Sequence, residues 1–261
     1  WNVPQTITVT AVDDAIAEGS HASTISHVAT SIDGNYDGVA ISSVTSTITD
    51  NDTAGFTVSA ISGNTTEAGG TATFTVVLTS QPTALVTTTV HSSDTTEGLV
   101  NTSTLVFSTS DWNISRTVTV TGVDDALDDG DISYSIILDT ASSTDENYSI
   151  LNPDDVSLSN TNNDSLGITV SAISGNTTEA GGAATFSVVL GSEPSASVSI
   201  PLASSNSDEG TLSTSSIVFS TSTWNIPRTV TVTGVDDSID DGNIAFTILT
   251  SASVSDDVSY N

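Results

Sequence analysis

The sequence predicts an all-β protein: tandem immunoglobulin-like antiparallel β-sandwiches of about seven strands each. Three observations predict it. Apolar residues alternate with polar ones at the period of two that a half-buried strand requires. Clusters of Gly, Ser, Asn and Asp separate these runs at the spacing of sandwich turns. The whole pattern returns after 111 to 112 residues, about the length of one sandwich domain, as an internal repeat.

The alternation is explicit in Thr71 to Thr79, where Ala72, Phe74, Val76 and Leu78 point one way. In Thr117 to Thr121, Val118 and Val120 face inward between three threonines, and Ile132, Tyr134, Ile136 and Leu138 share a face. No segment shows the apolar spacing of a helix.

The repeat is anchored by Trp1, Trp112 and Trp224, separated by 111 and 112 residues, and by Val12, Val123 and Val235 at the same separations. Thr57 to Gly70 reads TVSAISGNTTEAGG and returns unchanged at Thr169 to Gly182; Arg116 to Asp125 returns at Arg228 to Asp237. Identity over such lengths marks duplication. Boundaries follow: residues 1–53 match the second half of a repeat, 54–164 form a complete repeat, and 165–261 form a second repeat without a counterpart of the last strand. Half a sandwich cannot cover its own apolar face or strand edges. The chain is therefore expected to be a window cut from a longer array; the alternative is that another chain completes the leading half-repeat.

Composition bounds the partners. The chain of 261 residues has 32 Asp and Glu against 2 Lys and Arg, a formal net charge of -30. Nucleic acid is excluded as an expected partner, since phosphate binding needs a basic surface. Acidity alone would suggest disorder, but 36% of the residues are hydrophobic and fall in alternating runs that can bury a core. There is no Cys and no Met, so no disulfide or thiolate site is available. A repetitive cysteine-free chain suits the outside of a bacterial cell, and an extracellular, cell-surface location is expected. No apolar run approaches the roughly 18 residues of a membrane helix.

The carboxylates collect in connections, not along strands. In the complete repeat they are Glu67; Asp94 and Glu97; and Asp124, Asp125, Asp128, Asp129 and Asp131 around Gly130, with Asn163 and Asp164 closing the domain. Counterparts are Glu179; Asp208 and Glu209; and Asp236, Asp237, Asp240 and Asp241. The leading segment has Asp13, Asp14, Glu18, Asp50, Asn51 and Asp52. Antiparallel strands return a chain to the same end at every second connection, so these loops can converge. Converging carboxylates repel by about 1 kcal/mol per pair at 4 Å even in water, and a bound cation removes the conflict. Oxygen ligands in a flexible set of six to eight select calcium over octahedral magnesium. The competing reading is that acidic loops keep a β-protein soluble and block edge pairing. Solvation alone does not require acids to recur in the same loops.

Other features carry less. Carboxylate pairs could serve a glycosidase, but that chemistry needs two acids in contrasting environments, and these recur alike in each repeat. No enzymatic activity is expected. His21, His27 and His91 have no repeat counterparts, and no GxSxG elbow is present. The repeated W-N-x-x-R of Trp112 to Arg116 and Trp224 to Arg228 reads as a core cap with Arg paired to an acid, and exposed Thr rows as ordinary strand surface. Asn-x-Ser/Thr sequons are explained by composition.

The strand-opening TTEAGGTATFTVVL, the connection VDDALDDGD and the closing ITDND or NTNND together resemble Calx-beta domains of sodium-calcium exchangers and of large, adhesin-like bacterial surface proteins. The resemblance covers essentially the whole chain. It implies a seven-stranded sandwich binding two or more calcium ions at one end. By position it implies the ligands Glu67, Asp94, Asp124, Asp125, Asp129 and Asp164; Glu179, Asp208, Asp236, Asp237 and Asp241; and, in the leading segment, Asp13, Asp14, Asp50 and Asp52. The family's Asp-Tyr after the middle loop is missing, and Asn163 stands where an acid is usual. The function expected is a calcium-binding structural repeat of an extracellular stalk, fibre or adhesin, with Ca2+ rigidifying the junctions between neighbouring repeats or identical chains in a fibre. A calcium sensor and a glycan- or protein-binding adhesion module are the alternatives.

Overall fold

The computed structural model describes residues 2–261; Trp1, the first anchor of the repeat, lies outside the described residues. Every element among them is a strand or a turn. The leading segment holds β1 (His21–Ile25) and β2 (Val44–Ile48). Next come β3 (Phe56–Val58), β4 (Thr65–Thr66), β5 (Thr71–Leu78), β6 (Val86–Ser92), β7 (Gly98–Val100), β8 (Thr104–Phe107), β9 (Arg116–Gly122), β10 (Ile132–Leu138), β11 (Ser142–Ser143) and β12 (Val156–Thr161). The remainder is β13 (Ile168–Val170), β14 (Ala183–Leu190), β15 (Val198–Ser204), β16 (Gly210–Leu212), β17 (Ser216–Phe219), β18 (Arg228–Gly234) and β19 (Ile248–Thr250).

The chain divides into two compact units. The first gathers residues up to Thr65 with Gly69–Val123 and Ser133–Asn160; the second gathers Thr66–Ala68, Asp124–Ile132 and Thr161–Asn261.

In the first unit, a sheet of order β3-β5-β9-β7 faces a sheet of order β11-β6-β10-β12-β4, with β8 also paired to β6. The alternation read from the sequence decides which side chains meet: Phe74 and Val76 of β5, Val118 and Val120 of β9, Ile136 and Leu138 of β10 and Leu158 of β12 form one core. On the other face of the first sheet, Thr71, Thr73 and Thr75 stand opposite Thr121, Thr119 and Thr117. The ten segments from β3 to β12 exceed the expected seven strands, because short pieces such as β4 and β11 flank the long ones.

The second unit repeats the first sheet as β13-β14-β18-β16, with Phe186 opposite Val230 as Phe74 is opposite Val118. Its other sheet has three strands, β17-β15-β19. Its core holds Phe186, Val188, Ile200, Phe219, Val230 and Val232. The tryptophans behave as core caps: Trp112 and Trp224 each pack against the core of their own unit.

The leading segment forms an antiparallel hairpin of β1 and β2, with His21 opposite Ile48 and Ile25 opposite Val44. Two hydrogen bonds fasten the loop before it to turns of the same unit: the Gln81 backbone N donates to Ala15 O at 2.6 Å, and the Asn147 side-chain Nδ2 to Ala17 O at 2.6 Å.

Candidate metal centre

In the two repeats the acidic connection begins where β9 or β18 releases the chain, and in the leading segment it follows the corresponding stretch of sequence, which forms no strand. Two aspartates follow, and a glycine with positive φ turns the backbone: Gly19, Gly130 and Gly242 at 72°, 80° and 77°. A side chain at these positions would strain the left-handed conformation, which explains why the glycine returns with the period. Asp14, Asp125 and Asp237 each accept the backbone N–H two residues on, at 2.9, 2.8 and 2.7 Å. One oxygen of each is thereby fixed and the other left for a ligand.

The fullest cluster lies in the second unit. Single carboxylate oxygens of Glu67, Asp124 and Asp164 fall within 4.8 Å of one another. The residues that close the domain hold them in place. Asn163 N donates to Glu67 Oε2 at 2.8 Å and Asn163 Nδ2 to Asp124 Oδ1 at 2.9 Å. Asn162 Nδ2 reaches Asp128 Oδ1 at 3.1 Å, and Leu166 N reaches Asp128 Oδ2 at 2.8 Å. Asn163, which departs from the expected acid, is thus a brace between two carboxylates. Glu67 is 2% exposed, and Asp164 Oδ2 is buried without a hydrogen-bond partner. A buried carboxylate oxygen with no donor is costly unless a cation meets it.

The electrostatics are one-sided. Burial pushes the Glu67 carboxyl up, and Asp125, Asp129 and Asp164 push it further against the lowering effect of the Asn163 amide. Burial also raises Asp164, helped by Asp124, Asp125, Asp128 and Asp129, and it raises Asp129, helped first by Asp125. The neighbouring charges that act on these groups are all carboxylates.

A second cluster in the same unit brings Glu209, Asp237 and Asp241 within 4.8 Å. Glu209 is raised by burial and then by Asp241, Asp237, Glu179 and Asp208. The leading segment gathers its own set: Asp13, Asp14, Asp50 and Asp52 line a cavity of about 100 Å³. Asp52 is raised by burial and then by Asp50, Asp13 and Asp14, while Asp50 is held low by the amides of Asp52 and Gly19.

Most of the acids expected as ligands therefore converge. Asp94 and Asp208 are placed otherwise. Asp94 Oδ1 accepts from the Thr96 amide at 3.0 Å and the Thr96 hydroxyl at 2.6 Å, which lower its carboxyl within its own turn. Three residues on, Glu97 is buried in the first unit with Asn160 Nδ2 at 3.4 Å, and it is the period counterpart of Glu209. Glu209, not its neighbour Asp208, joins Asp237 and Asp241. The signal that marks these two is the Glu-Gly step, Glu97-Gly98 and Glu209-Gly210, which recurs at 112. Glycine is required there because a Cβ on Gly98 or Gly210 would overlap the ring of Tyr134 or Phe246. Glu179 and Asp236 stay exposed, and no strand among the described residues brings a terminal acid to them.

No family model matches the sequence, and no curated protein matches it. Solved structures are similar at low scores. The calcium binding domain CBD12 of CALX1.1 is 16% identical over 73% of this chain and 77% of that chain, with a TM-score of 0.35. CBD12 of CALX1.2 is 13% identical over the same shares, with a TM-score of 0.33. Domains 1–6 of the surface layer protein SbsC are 16% identical over 80% of this chain and 27% of that chain, with a TM-score of 0.27. None of these TM-scores reaches 0.5, so none of the likenesses decides a function.

Proposed function

We propose that this chain is a calcium-binding structural repeat of an extracellular stalk, fibre or adhesin, in which Ca2+ stiffens the junctions between repeats. One observation carries the reading: carboxylates recur at the repeat period and gather in groups within 4.8 Å, where the charges beside them are all carboxylates. Solvating loops would keep such charges apart, whereas these are held together against repulsion. A site of carboxylate and amide oxygens with no sulfur or clustered imidazole suits a hard cation, and its flexible loops suit calcium. Glu67, Asp124 and Asp164 would hold one ion, and Glu209, Asp237 and Asp241 another. The role is structural and not catalytic, in the setting of a secreted, cell-surface protein built from many copies of one domain.

The junction part of the reading rests on contacts inside the second unit. Ala126, between the acids Asp125 and Asp128, accepts the Glu193 amide at 2.7 Å, and Asp128 accepts the Leu166 amide at 2.8 Å. The ligand-bearing connection is therefore tied to residues that follow the domain's closing acids. Ala15 and Gln81 repeat the first of these bonds in the first unit. An ion that orders the connection orders its attachment as well.

Calorimetric titration of the chain with calcium and with magnesium tests the reading. Calcium is expected to bind at more than one site and magnesium far more weakly, and the double variant Asp237→Asn, Asp241→Asn is expected to lose one of the calcium sites. Absence of calcium binding would leave the acidic loops as solubilising surface. Small-angle scattering with and without calcium tests the stiffening separately.

A further inference from the structure

Among the acids of the connection that follows β9, Asp129 alone is followed by glycine. Its neighbours are tied down: Asp125 accepts from Leu127 N at 2.8 Å, and Asp128 accepts from Asn162 Nδ2 and Leu166 N at 3.1 and 2.8 Å. The Asp129 carboxylate is met by its own backbone N–H. On the other side of the step Gly130 is exposed, and its amide has no hydrogen-bond acceptor among the described residues. A Cβ there would meet nothing within 4 Å. No strand lies between Gly122 and Ile132 to hold this backbone in a ladder. The repeat that has all its strands thus leaves an amide nitrogen free beside a carboxyl carbon, and glycine adds no side chain to hinder their approach. The same Asp-Gly step returns 112 residues on as Asp241–Gly242, where φ is 77° against 80° at Gly130.

We propose that Asp129–Gly130, with its counterpart Asp241–Gly242, is a site of self-modification, which closes to a succinimide and reopens as isoaspartate when the connection is without its cation. The Gly130 nitrogen attacks the side-chain carbonyl carbon of Asp129. A C–N bond forms and the carboxyl C–O bond breaks. Water leaves, its oxygen and one hydrogen coming from the carboxyl group and its other hydrogen from the amide. A water molecule then adds to the imide at either carbonyl, and cleavage on the main-chain side leaves the backbone running through the β-carbon of Asp129. The connection is then one carbon longer and its carboxylate is displaced, so the modified loop no longer presents the ligand set. The brake on the reaction rests on the calcium reading above: the Asp241 carboxylate lies within 4.8 Å of those of Glu209 and Asp237, and Asp129 lies beside Asp125. A carboxylate oxygen coordinated to a cation cannot leave as water. Asp33–Gly34 and Asp37–Gly38 are the internal contrast. Asp33 Oδ1 accepts from the backbone and side-chain nitrogens of Asn35 at 3.0 Å, and Asp37 Oδ1 accepts from Ser31 N while Gly38 N donates to Ala29 O, each at 3.1 Å.

Incubation of the full chain for weeks in neutral buffer, with calcium or with chelator, tests the proposal, isoaspartate being located by peptide mapping and electron-transfer fragmentation. The expected result in chelator is isoaspartate accumulating at Asp129 and Asp241 and not at Asp33 and Asp37. If only the metal-free connection reacts, calcium at a hundred times its dissociation constant slows the accumulation about a hundredfold. In the variant Asp129→Glu, whose longer side chain would have to close a larger ring, the signal at this step should disappear while that at Asp241 remains. Unmodified Asp129 and Asp241 in chelator overturn the proposal. Equal amounts at all four Asp-Gly steps of the chain overturn it too, since sequence and not the fold would then select them. Equal rates in the two buffers, from a chain that binds calcium in the calorimeter, overturn the protection by the cation. Equal rates from a chain that binds no calcium would leave the self-modification standing and remove the calcium reading.

Discussion

Arg116 and Arg228 are the chain's two basic residues other than histidine, and they occupy the same place in successive repeats with different partners. Arg116 donates to Asp111 at 2.6 Å and to the Val106 carbonyl at 3.0 Å, and its guanidinium lies 5.4 Å from the Phe107 ring centroid. The acid partner expected from the W-N-x-x-R motif is thus the residue just before Trp112. In the second repeat Thr223 replaces that aspartate, and the buried Nε of Arg228 has no hydrogen-bond partner. Thr223→Asp is therefore expected to raise the stability of the second unit by up to about 1 kcal/mol, the range of a partly exposed ion pair, read as a higher unfolding midpoint in urea. Asp111 has its carboxyl pulled down to about 2, first by the Ser108 hydroxyl and amide and then by Arg116. Its folded value lies below its unfolded one, so its contribution is complete above the ordinary aspartate range near 4 and fades as pH falls through about 2. The difference in melting temperature between the chain and Asp111→Asn should be constant from neutral pH to about 4 and vanish near 2. A difference that persists in stronger acid would show that packing, not charge, is responsible.

At the scale of elements, the strands were legible because period-two alternation is written in the side chains themselves. Phe74, Val118 and Ile136 face the core as the pattern requires. The ties between elements were not legible, because they depend on which loops meet. The clearest is the turn at Asp145, whose carboxylate accepts the Asn147 amide at 2.9 Å and the Thr83 amide at 2.7 Å. It delivers the hydroxyl of buried Tyr148 to the Ser80 carbonyl at 2.6 Å. Asp257 and Tyr260 do the same for Ser192, at 2.9 Å for the carbonyl bond. The signal was present in Asp33, Asp145 and Asp257, each three residues before a tyrosine and spaced at 112, but only the fold shows what the tyrosine reaches. Tyr148→Phe leaves a buried carbonyl without its donor and is expected to cost about 1 to 3 kcal/mol; Tyr36→Phe, at the exposed counterpart, should be neutral in the same urea titration. Gly98→Ala would drive a methyl into Tyr134 between β7 and β10 and is expected to cost about 1 to 3 kcal/mol by overpacking.

At the scale of the whole molecule, the acidic connections were legible as a recurring set but not as ligand groups. Spacing cannot tell that Asp94 is used up by Thr96, or that Asn163 serves as a brace. The metal-free chain stores repulsion in carboxyls whose folded values are raised, among them Glu67, Asp164 and Glu209. Groups raised by folding destabilise the native state while ionised, so mild acidification from neutral pH toward about 4 should stabilise the chain in chelator. With calcium bound the same protons compete with the ion, and the slope should reverse. Thermal unfolding at neutral pH in calcium, in magnesium and in chelator shows whether the acidic clusters hold calcium in the folded chain. A ligand held only by the native state at a hundred times its dissociation constant adds about 2.7 kcal/mol, a rise on the order of 10 °C for a domain of this size. That rise is expected in calcium, with little of it in magnesium and most of it lost in the double variant Asp124→Asn, Asp125→Asn; a melting temperature indifferent to chelator would contradict calcium binding at these clusters.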